Sequence, residues 1–154
     1  MPYANRPVDK DCVFCRIVAG AIPCARVYED ENILAFLDIQ PIAPGHTLAI
    51  LKGHYPTLLE VPPREAEGLF IALKKVAAAQ LKVLGAGGFH CLQNNFPLAG
   101  QTVFHAHWHL IPRAAGDGLA LWPGQAYESD KRMREVAEAL HSHITAGRCG
   151  GQDE

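Results

Sequence analysis

Three histidines recur at every second residue in one short stretch of this chain. The stretch GQTVFHAHWHL, residues 100–110, carries His105, His107 and His109, and apolar residues separate them. Alternate side chains of a β-strand share one face, so this spacing predicts three imidazoles on one face, with neighbours about 7 Å apart. A neutral imidazole can attack an electrophile while flanking imidazoles donate hydrogen bonds to it, and a phosphorus centre is the natural target.

Metal binding is an alternative interpretation of the same histidines. Two histidines two residues apart on a strand can chelate zinc, and three would leave an open position for a metal-bound water, as in a zinc hydrolase. The chain also contains a C-x-x-C pair, Cys12 and Cys15. Thiolates with an imidazole would complete a closed tetrahedral site better than three histidines alone, so metal binding and chemistry can divide the histidines between them. In a third interpretation the histidines only decorate a polar strand face.

The composition favours one globular domain over residues 1–154. Hydrophobic residue types make up 49% of the chain and charged types 19%, which is typical of a domain with a real core. The net charge of −2 and the pI of about 6.4 provide no basic surface for a nucleic acid polymer. No apolar run reaches the roughly 18 residues of a membrane span, and the chain starts without a secretory signal. We therefore expect no membrane segment, and a cytoplasmic protein whose five cysteines are reduced or bind metal.

The apolar periodicity predicts an α+β fold. Short β-branched or apolar runs predict five strands, over residues 26–28, 33–38, 47–51, 89–93 and 103–111. Residues 12–19 predict a short helical turn, and a 3.6-residue period predicts a long helix over 63–84. A second periodic run predicts a C-terminal helix over about 130–146, with Ser129 or Asp130 as its N-cap. The expected architecture is an antiparallel sheet of about five strands with one long inserted helix and a C-terminal helix.

Several ordered motifs of the chain match one known family. HAHWHLI, residues 105–111, matches a His-φ-His-φ-His-φ-φ signature in which φ is an apolar residue. CVFCRIVAGAIPCARVYEDENILAFLDIQPIAPGHTLAI, residues 12–50, resembles the N-terminal half of the same family, and NNFPLAGQTV, residues 94–103, resembles its loop before the signature. On these residues the chain resembles the histidine triad superfamily of nucleotide hydrolases and transferases, over about residues 11–118.

The resemblance implies covalent catalysis by His107. This histidine would attack the α-phosphate of a purine nucleoside phosphoramidate, a dinucleoside polyphosphate or a related adenylate, and water or another acceptor would resolve the nucleotidyl-histidine. By the same resemblance, His109 orients His107 and contacts phosphate, while Gln101 and Thr102 donate to phosphate oxygens or to the leaving group. His46 would support the nucleophile's tautomer from the neighbouring strand; as an alternative, it is a satisfied strand-end histidine.

The resemblance also implies an apolar slot for the base and one acceptor for the ribose. Asp38 would accept hydrogen bonds from the ribose hydroxyls, since its two carboxylate oxygens can accept both. Asn94 would hold the loop and reach the phosphate. The positions that would contact the base are Val13, Phe14, Ile17, Phe36, Ile39 and Leu48. From the sequence alone, these apolar residues are equally typical of an ordinary core.

Zinc-containing branches of the superfamily use a C-x-x-C pair, the histidine of a Pro-Lys-x-His segment and the first signature histidine as metal ligands. The corresponding residues here are Cys12, Cys15, His54 and His105, although the segment reads LKGH, with Leu51 in place of the proline. We expect a closed, structural zinc site that pins the N-terminal turn to the sheet, and no organic cofactor. The alternative is two reduced, half-buried thiols near an exposed histidine.

Three further expectations concern partners, the loop and the leaving group. The family commonly forms twofold dimers through the long helix and an edge strand, so we expect a homodimer that binds a small-molecule nucleotide. The family often has glycine where Asn95 or Phe96 stands, which predicts an unusual loop. Trp122 and the stretch to Tyr127 either shape the leaving-group side or are surface or dimer-contact aromatics. The alternative function is a nucleotide-binding scaffold with incidental chemistry.

Overall fold

The computed structural model of the protein describes residues 6–120 and 124–147, and a single antiparallel sheet organises its first part. The strands are β1 (Arg26–Glu29), β2 (Ile33–Leu37), β3 (Thr47–Leu51), β4 (Gly88–Gln93) and β5 (His107–Arg113). They lie in the order β1-β2-β3-β5-β4, and each neighbouring pair is antiparallel. The predicted sheet is confirmed, and β4 is an edge strand.

The long helix α2 (Ala66–Leu84) covers one face of this sheet. A 3-10 turn over Pro63–Glu65 leads into it, and its buried side chains recur every three or four residues, as expected of an amphipathic helix. The buried residues of α2 are Leu69, Ala72, Leu73, Val76, Ala77 and Gln80. They pack on side chains of β2, β3 and β5 that point to the same face, including Ala49 and Leu110. The helix therefore holds three neighbouring strands together.

The short helix α1 (Val13–Val18) belongs to the opposite face. Its buried Phe14, Cys15 and Ile17 pack with side chains of β2 and β3, among them Phe36 and Leu48. Because side chains alternate along a strand, β3 contributes Ala49 to the α2 face and Leu48 to the α1 face. The two faces are thus distinct, and the α1 face carries predicted base-contacting residues, including Phe36 and Leu48.

The last strand begins later than its sequence pattern predicts. The prediction of a strand over 103–111 is wrong at its start, since β5 begins at His107. Before that residue the backbone makes other hydrogen bonds: Ala106 N–H donates to Tyr55 O at 2.6 Å, and His105 N–H donates to Val103 O at 2.9 Å. These hydrogen bonds replace those of the sheet, so His105 lies in an irregular segment before β5. Its side chain therefore does not belong to the alternating side chains of that strand.

Contacts divide the chain into two compact units, Met1–Asp117 and Gly118–Glu154. In the second unit, helix α3 (Asp130–Gly147) forms the predicted C-terminal helix. Ser129 Oγ accepts the backbone N–H of Arg132 at 3.1 Å, so Ser129 is the N-cap. A single domain over 1–154 stays a prediction. Within 6–120 and 124–147, the helices are all too short or too polar to cross a bilayer.

Candidate active site and metal centre

A chain of hydrogen bonds links two imidazoles at the ends of β3 and β5. His46 precedes β3 and is buried, and its Nε2 lies 2.9 Å from Nδ1 of His109. The backbone N–H of Ile42 donates to His46 Nδ1 at 3.2 Å. His46 therefore carries its proton on Nε2 and donates it to His109 Nδ1, which leaves the proton of His109 on Nε2. These two hydrogen bonds, which begin at the backbone N–H of Ile42, therefore fix the tautomer of His109 so that its Nε2 is an N–H donor.

The middle histidine has the opposite arrangement, with its proton facing the protein. His107 Nδ1 lies 2.7 Å from the backbone oxygen of His105 and donates to it, so the lone pair of His107 is on Nε2. The His107 and His109 rings are adjacent, with centroids 4.9 Å apart. Phe14 packs edge-on against His107 with its centroid at 5.2 Å, which limits rotation of the imidazole. The result is a held imidazole with an unprotonated nitrogen beside an N–H donor.

Burial keeps these imidazoles neutral. Desolvation, together with repulsion from His107 and His46 and against the attraction of Asp38, lowers the pKa of His109 to about 4. Burial also lowers the pKa of His107 and of His46, and the Asp38 carboxylate again opposes the shift. A neutral imidazole is the form that can act as a nucleophile, and this environment favours that form at neutral pH.

A cavity of about 400 Å³ opens onto His107 and His109. Its apolar wall comes from α1, β2 and β3, and it includes all six predicted base-contacting positions, Val13, Phe14, Ile17, Phe36, Ile39 and Leu48. Asp38 and Thr102 also line it, whereas Asn94, Gln101 and His46 are not among its lining residues. Ile39 is 96% exposed, which places it at the mouth. The structure thus brings most of the predicted residues around one space.

The cavity wall also contains residues that sequence reasoning missed. The segment after α1 supplies Ile22, Pro23 and Cys24, and the turn after β2 supplies Gln40. The glycine and proline of the first segment indicate only a helix end, so composition offered no signal for a binding role. Only the position of these segments in the sequence could have indicated a binding role, because both are close to residues that were predicted to line the cavity.

Asp38 is fixed on two sides. Its backbone N–H donates to His46 O at 2.9 Å, and its Oδ1 accepts the backbone N–H of Gln40 at 2.8 Å. Its Oδ2 lies 3.7 Å from His46 Nδ1, which is an electrostatic contact and too long for a hydrogen bond. The carboxylate is therefore both a wall of the cavity and the negative charge nearest the buried imidazoles.

The loop before the histidines is held from inside by Gln101. Its Oε1 accepts the Phe96 N–H at 2.8 Å, and its Nε2 donates to Pro56 O at 2.7 Å and to Val103 O at 3.1 Å. The expected donation from Gln101 to a phosphate stays a prediction, and it would require one of these bonds to rearrange. Asn94 lies beside the same loop, where a Cβ on Gly100 would be 3.5 Å from its Nδ2.

Phe96 has an unusual backbone in this loop. Its φ of 68° and ψ of 157° belong to a region that glycine adopts freely and a β-carbon disfavours. Among the described residues it is the one non-glycine with positive φ. The departure from glycine in the sequence therefore has a structural counterpart, and the strained residue lies in the loop that precedes the histidines.

The four predicted metal ligands converge on one point. Cys12 Sγ lies 3.5 Å from His105 Nδ1, while Cys15 Sγ lies 3.4 Å from His54 Nδ1 and 3.7 Å from His105 Nδ1. A tetrahedral zinc with its usual bond lengths to sulfur and nitrogen separates such atoms by about 3.5 Å. The spacing therefore fits zinc, and all four ligand atoms lie within 4.8 Å of one another.

The outer contacts of this cluster also suit a metal. His105 Nε2 lies 2.8 Å from Leu51 O and donates to it, which leaves the Nδ1 lone pair facing the thiols. Burial, together with repulsion from His54 and His107, lowers the pKa of His105 to about 4, so the ring is neutral as a ligand must be. Burial raises the pKa of the Cys15 thiol, and a bound cation would favour its thiolate.

The three histidines therefore serve two sites. The ring of His105 belongs to the cluster with the cysteines, and the rings of His107 and His109 belong to the cavity. A single zinc bound by all three, as in the zinc-hydrolase interpretation, does not match this geometry. The backbone of His105 nevertheless joins the sites, because its carbonyl oxygen accepts the His107 proton. Trp122 lies outside the described residues.

Known proteins resemble the chain over most of its length. A family model described as "HIT domain" matches residues 19–116. The chain is 37% identical over 142 residues to the Arabidopsis thaliana protein named Adenylylsulfatase HINT3, across 89% of this chain and 71% of that protein. It is 36% identical over 135 residues to Adenosine 5'-monophosphoramidase hnt1 of Schizosaccharomyces pombe, across 86% of this chain and 98% of the relative.

Solved structures match the fold as well. The protein SMU.412c of Streptococcus mutans superposes with a TM-score of 0.83 at 45% identity, covering 88% of this chain and 87% of that chain. A Zn-bound histidine triad family protein of Mycobacterium smegmatis superposes with a TM-score of 0.68 at 40% identity, covering 87% and 97%. The sheet and helices described above are thus those of an experimentally known architecture.

Proposed function

This chain belongs to the HIT domain family, and on that premise we propose that it hydrolyses nucleotides at the α-phosphate through a covalent bond to His107. The observation that carries the proposal is the opposed proton placement of two neighbouring imidazoles. His107 presents an unprotonated Nε2, and His109 presents an N–H, to the same cavity. A nucleophile beside a donor is the arrangement that phosphoryl transfer requires.

The reaction has two steps with balanced bonds. His107 Nε2 attacks the α-phosphorus, the bond from phosphorus to the leaving group breaks, and that group departs with its electron pair and acquires a proton. Water then attacks the same phosphorus and releases a proton to the solvent, which balances the proton that the leaving group took from the solvent. The bond from phosphorus to nitrogen breaks, its electron pair returns to His107 Nε2, and a nucleoside monophosphate leaves. His109 donates its Nε2–H to phosphate oxygens in both steps, while His46 holds His109 in the required tautomer.

Binding of the nucleoside follows from the cavity wall. Apolar side chains of α1, β2 and β3 receive the base, and the Asp38 carboxylate accepts the ribose hydroxyls. Thr102 also lines the cavity and is the hydroxyl donor available there for phosphate. Among the described residues, the lining contains no lysine or arginine. A polyanionic leaving group would therefore gain little electrostatic help, so nucleoside phosphoramidates should react faster than dinucleoside polyphosphates.

The relatives support this choice at the level of reaction class. One is named Adenosine 5'-monophosphoramidase and another Adenylylsulfatase, so both names concern an adenosine nucleotide. We accordingly propose purine nucleoside 5′-phosphoramidates as the first substrates to test, with dinucleoside polyphosphates and related adenylates as slower ones.

A structural zinc at Cys12, Cys15, His54 and His105 is part of the same proposal. The ligand spacing supports it, and so does the Zn-bound relative of Mycobacterium smegmatis. The metal would supply no chemistry to the nucleotide. Its ligands would join α1 to the segment before β5, and would thereby fix the carbonyl that accepts the His107 proton.

We also propose a homodimer in the cytoplasm. The edge strand β4 exposes Phe89 and Cys91, and α2 exposes Phe70 at 68% and Val83 at 77%. An uncovered edge strand beside apolar helix residues favours pairing with a second copy. Sedimentation equilibrium would give twice the chain mass if this is correct.

The test of the proposed function is a substrate panel with matched variants. Wild-type protein should release nucleoside monophosphate from an adenosine 5′-phosphoramidate, and His107→Ala should lose at least a thousandfold of that rate, by analogy with other nucleophile deletions. The control is His143→Ala, which removes an exposed histidine of α3 and should leave the rate unchanged. Binding of nucleotides without turnover on the whole panel would favour the scaffold alternative.

A further inference from the structure

One polar side chain occupies the buried stripe of α2. Gln80 is 4% exposed, and the other buried positions of this helix are apolar. An apolar residue would fill the same space without burying an amide, so core packing does not account for glutamine here. The amide must therefore be judged by the groups it contacts.

The Gln80 amide contacts the backbone around both histidines of the His46–His109 hydrogen bond. Its Nε2 donates to Gly45 O at 2.9 Å and to Leu110 O at 3.0 Å. Gly45 is the residue before His46, and Leu110 is the residue after His109. One amide thus joins the start of β3 to the middle of β5 at the two points that carry the catalytic imidazoles.

The orientation of this amide is fixed by chemistry. Its third contact, Thr47 Oγ1 at 3.5 Å, is an oxygen that itself donates to Gly45 O at 2.9 Å. Reversing the amide would place its oxygen against two carbonyl oxygens, which is repulsive. Within the described part of the chain, Gln80 Oε1 has no hydrogen-bond partner, so the residue is held by its N–H groups alone.

The strand register explains how a contact on one face acts on the other. Thr47 pairs directly with Leu110, and Leu48 pairs with His109, so successive pairs alternate between the α2 face and the cavity face. Gln80 contacts the Thr47–Leu110 pair, which lies on the α2 face. The His109 imidazole lines the cavity and is hydrogen-bonded to the His46 imidazole, and the separation of these two rings depends on how β3 and β5 are held at this level.

The turn before β3 lies against the end of α2. Gly45 has a φ of +92°, and a Cβ at this position would lie 2.3 Å from Leu84 Cδ1 at the end of α2. The Leu84 side chain therefore occupies the space beside Gly45, and Gln80 donates to the Gly45 carbonyl. A shift at Gly45 is passed directly to His46, the next residue along the chain.

From these contacts we infer that Gln80 is a positioning residue for the His46–His109 hydrogen bond, acting from the opposite face of the sheet. The inference rests on the proposed function only in making that hydrogen bond catalytically important. The amide bonds to the carbonyl before His46 and to the carbonyl after His109, and so holds these two backbone segments together. The distance between His46 Nε2 and His109 Nδ1 depends on their separation. An apolar residue would pack there but would not set that distance.

The primary test is Gln80→Met, which keeps the length and removes both donors. In protein labelled with ¹⁵N-histidine, the His46 Nε2–H proton should be slowly exchanging in the wild type and should shift and exchange at least tenfold faster in the variant. The value of kcat should fall about tenfold, with KM within twofold, since small misplacements of catalytic groups cost rate more than binding.

The matched control is Val76→Ala, which removes buried volume one turn earlier on the same helix face. It should lower the melting temperature and leave the His46 resonance unchanged. An unchanged resonance in Gln80→Met, or an equal change in Val76→Ala, would overturn the inference.

A milder variant keeps the test informative if Gln80→Met does not fold. Thr47→Val removes only the hydroxyl that contacts Gln80 and Gly45, and it should move the resonance in the same direction by a smaller amount. No movement in a folded Thr47→Val would contradict the inference. The resonance is measured without substrate, so absence of wild-type turnover would refute the proposed function and leave this comparison valid.

Discussion

Acidification should destabilise the fold through His109, and the size of the effect follows from its burial. Desolvation lowers the pKa of His109 to about 4 in the folded chain, against 6.5 for an unperturbed imidazole. The unfolded chain therefore takes up a proton as the pH falls below 6.5, whereas the folded chain does so only near 4. Stability present above pH 6.5 is lost as the pH falls toward 4.

The magnitude can be worked from these two values. Between pH 7 and pH 5, one such histidine costs about 2 kcal/mol of unfolding free energy. His109 is only partly buried, so solvent screening reduces the expected loss to about 1–2 kcal/mol. His109→Gln removes this titration while keeping an oxygen that can accept the His46 Nε2–H.

The assay is urea unfolding of wild type and variant at both pH values. The wild type should lose about 1–2 kcal/mol more than His109→Gln on going from pH 7 to pH 5. The comparison isolates His109, since every other group is present in both proteins. His143→Gln, on the exposed surface of α3, should behave like the wild type. Equal losses in the wild type and in His109→Gln would refute the reasoning about burial.

Three other predictions concern the metal, the loop and the ribose. Cys15→Ser should reduce bound zinc below one atom per chain by mass spectrometry of metals and lower the melting temperature, because it removes one of four ligands; full zinc content would contradict the proposed site. Phe96→Gly should raise the urea-unfolding free energy by about 1 kcal/mol, since glycine relieves the positive φ, and a loss of stability would show that the Phe96 side chain matters more than strain. Asp38→Asn should raise KM for a ribonucleotide substrate at least tenfold, because the carboxylate would bind the ribose hydroxyls. It should change KM for the 2′,3′-dideoxy analogue by less than threefold. Equal effects on both substrates would argue against that contact.

Local patterns in the sequence predicted most of the architecture. The runs at Ile33–Leu37 and Thr47–Leu51 are short, apolar and bounded by turn residues, and both are strands. The 3.6-residue period predicted α2, and the sequence offered Ser129 or Asp130 as the N-cap of α3, of which the structure has Ser129. These elements depend on neighbouring residues, so a local pattern is sufficient to find them.

Long-range contacts account for what the sequence could not predict. The start of β5 depends on a hydrogen bond from Ala106 to Tyr55, which are far apart in the chain. The resemblance implies that Gln101 donates to phosphate, which stays a prediction, but its bonds to Pro56 and Phe96 could not be read from the sequence. No role was predicted for Gln80, because the contacts of a single glutamine in an apolar helix depend on which strands lie beneath it. Each of these contacts joins separate elements of the fold.

The most direct test of the account is to trap the covalent intermediate. Wild-type protein and an α-³²P-labelled adenosine phosphoramidate are mixed, quenched in base within milliseconds and digested, and the labelled peptide is sequenced by mass spectrometry. The proposed covalent mechanism predicts that the nucleotidyl label is found on His107. The His107→Ala variant should carry no label, and the His143→Ala variant should be labelled as the wild type is. Label on another residue, or single-turnover hydrolysis by His107→Ala at the wild-type rate, would contradict it.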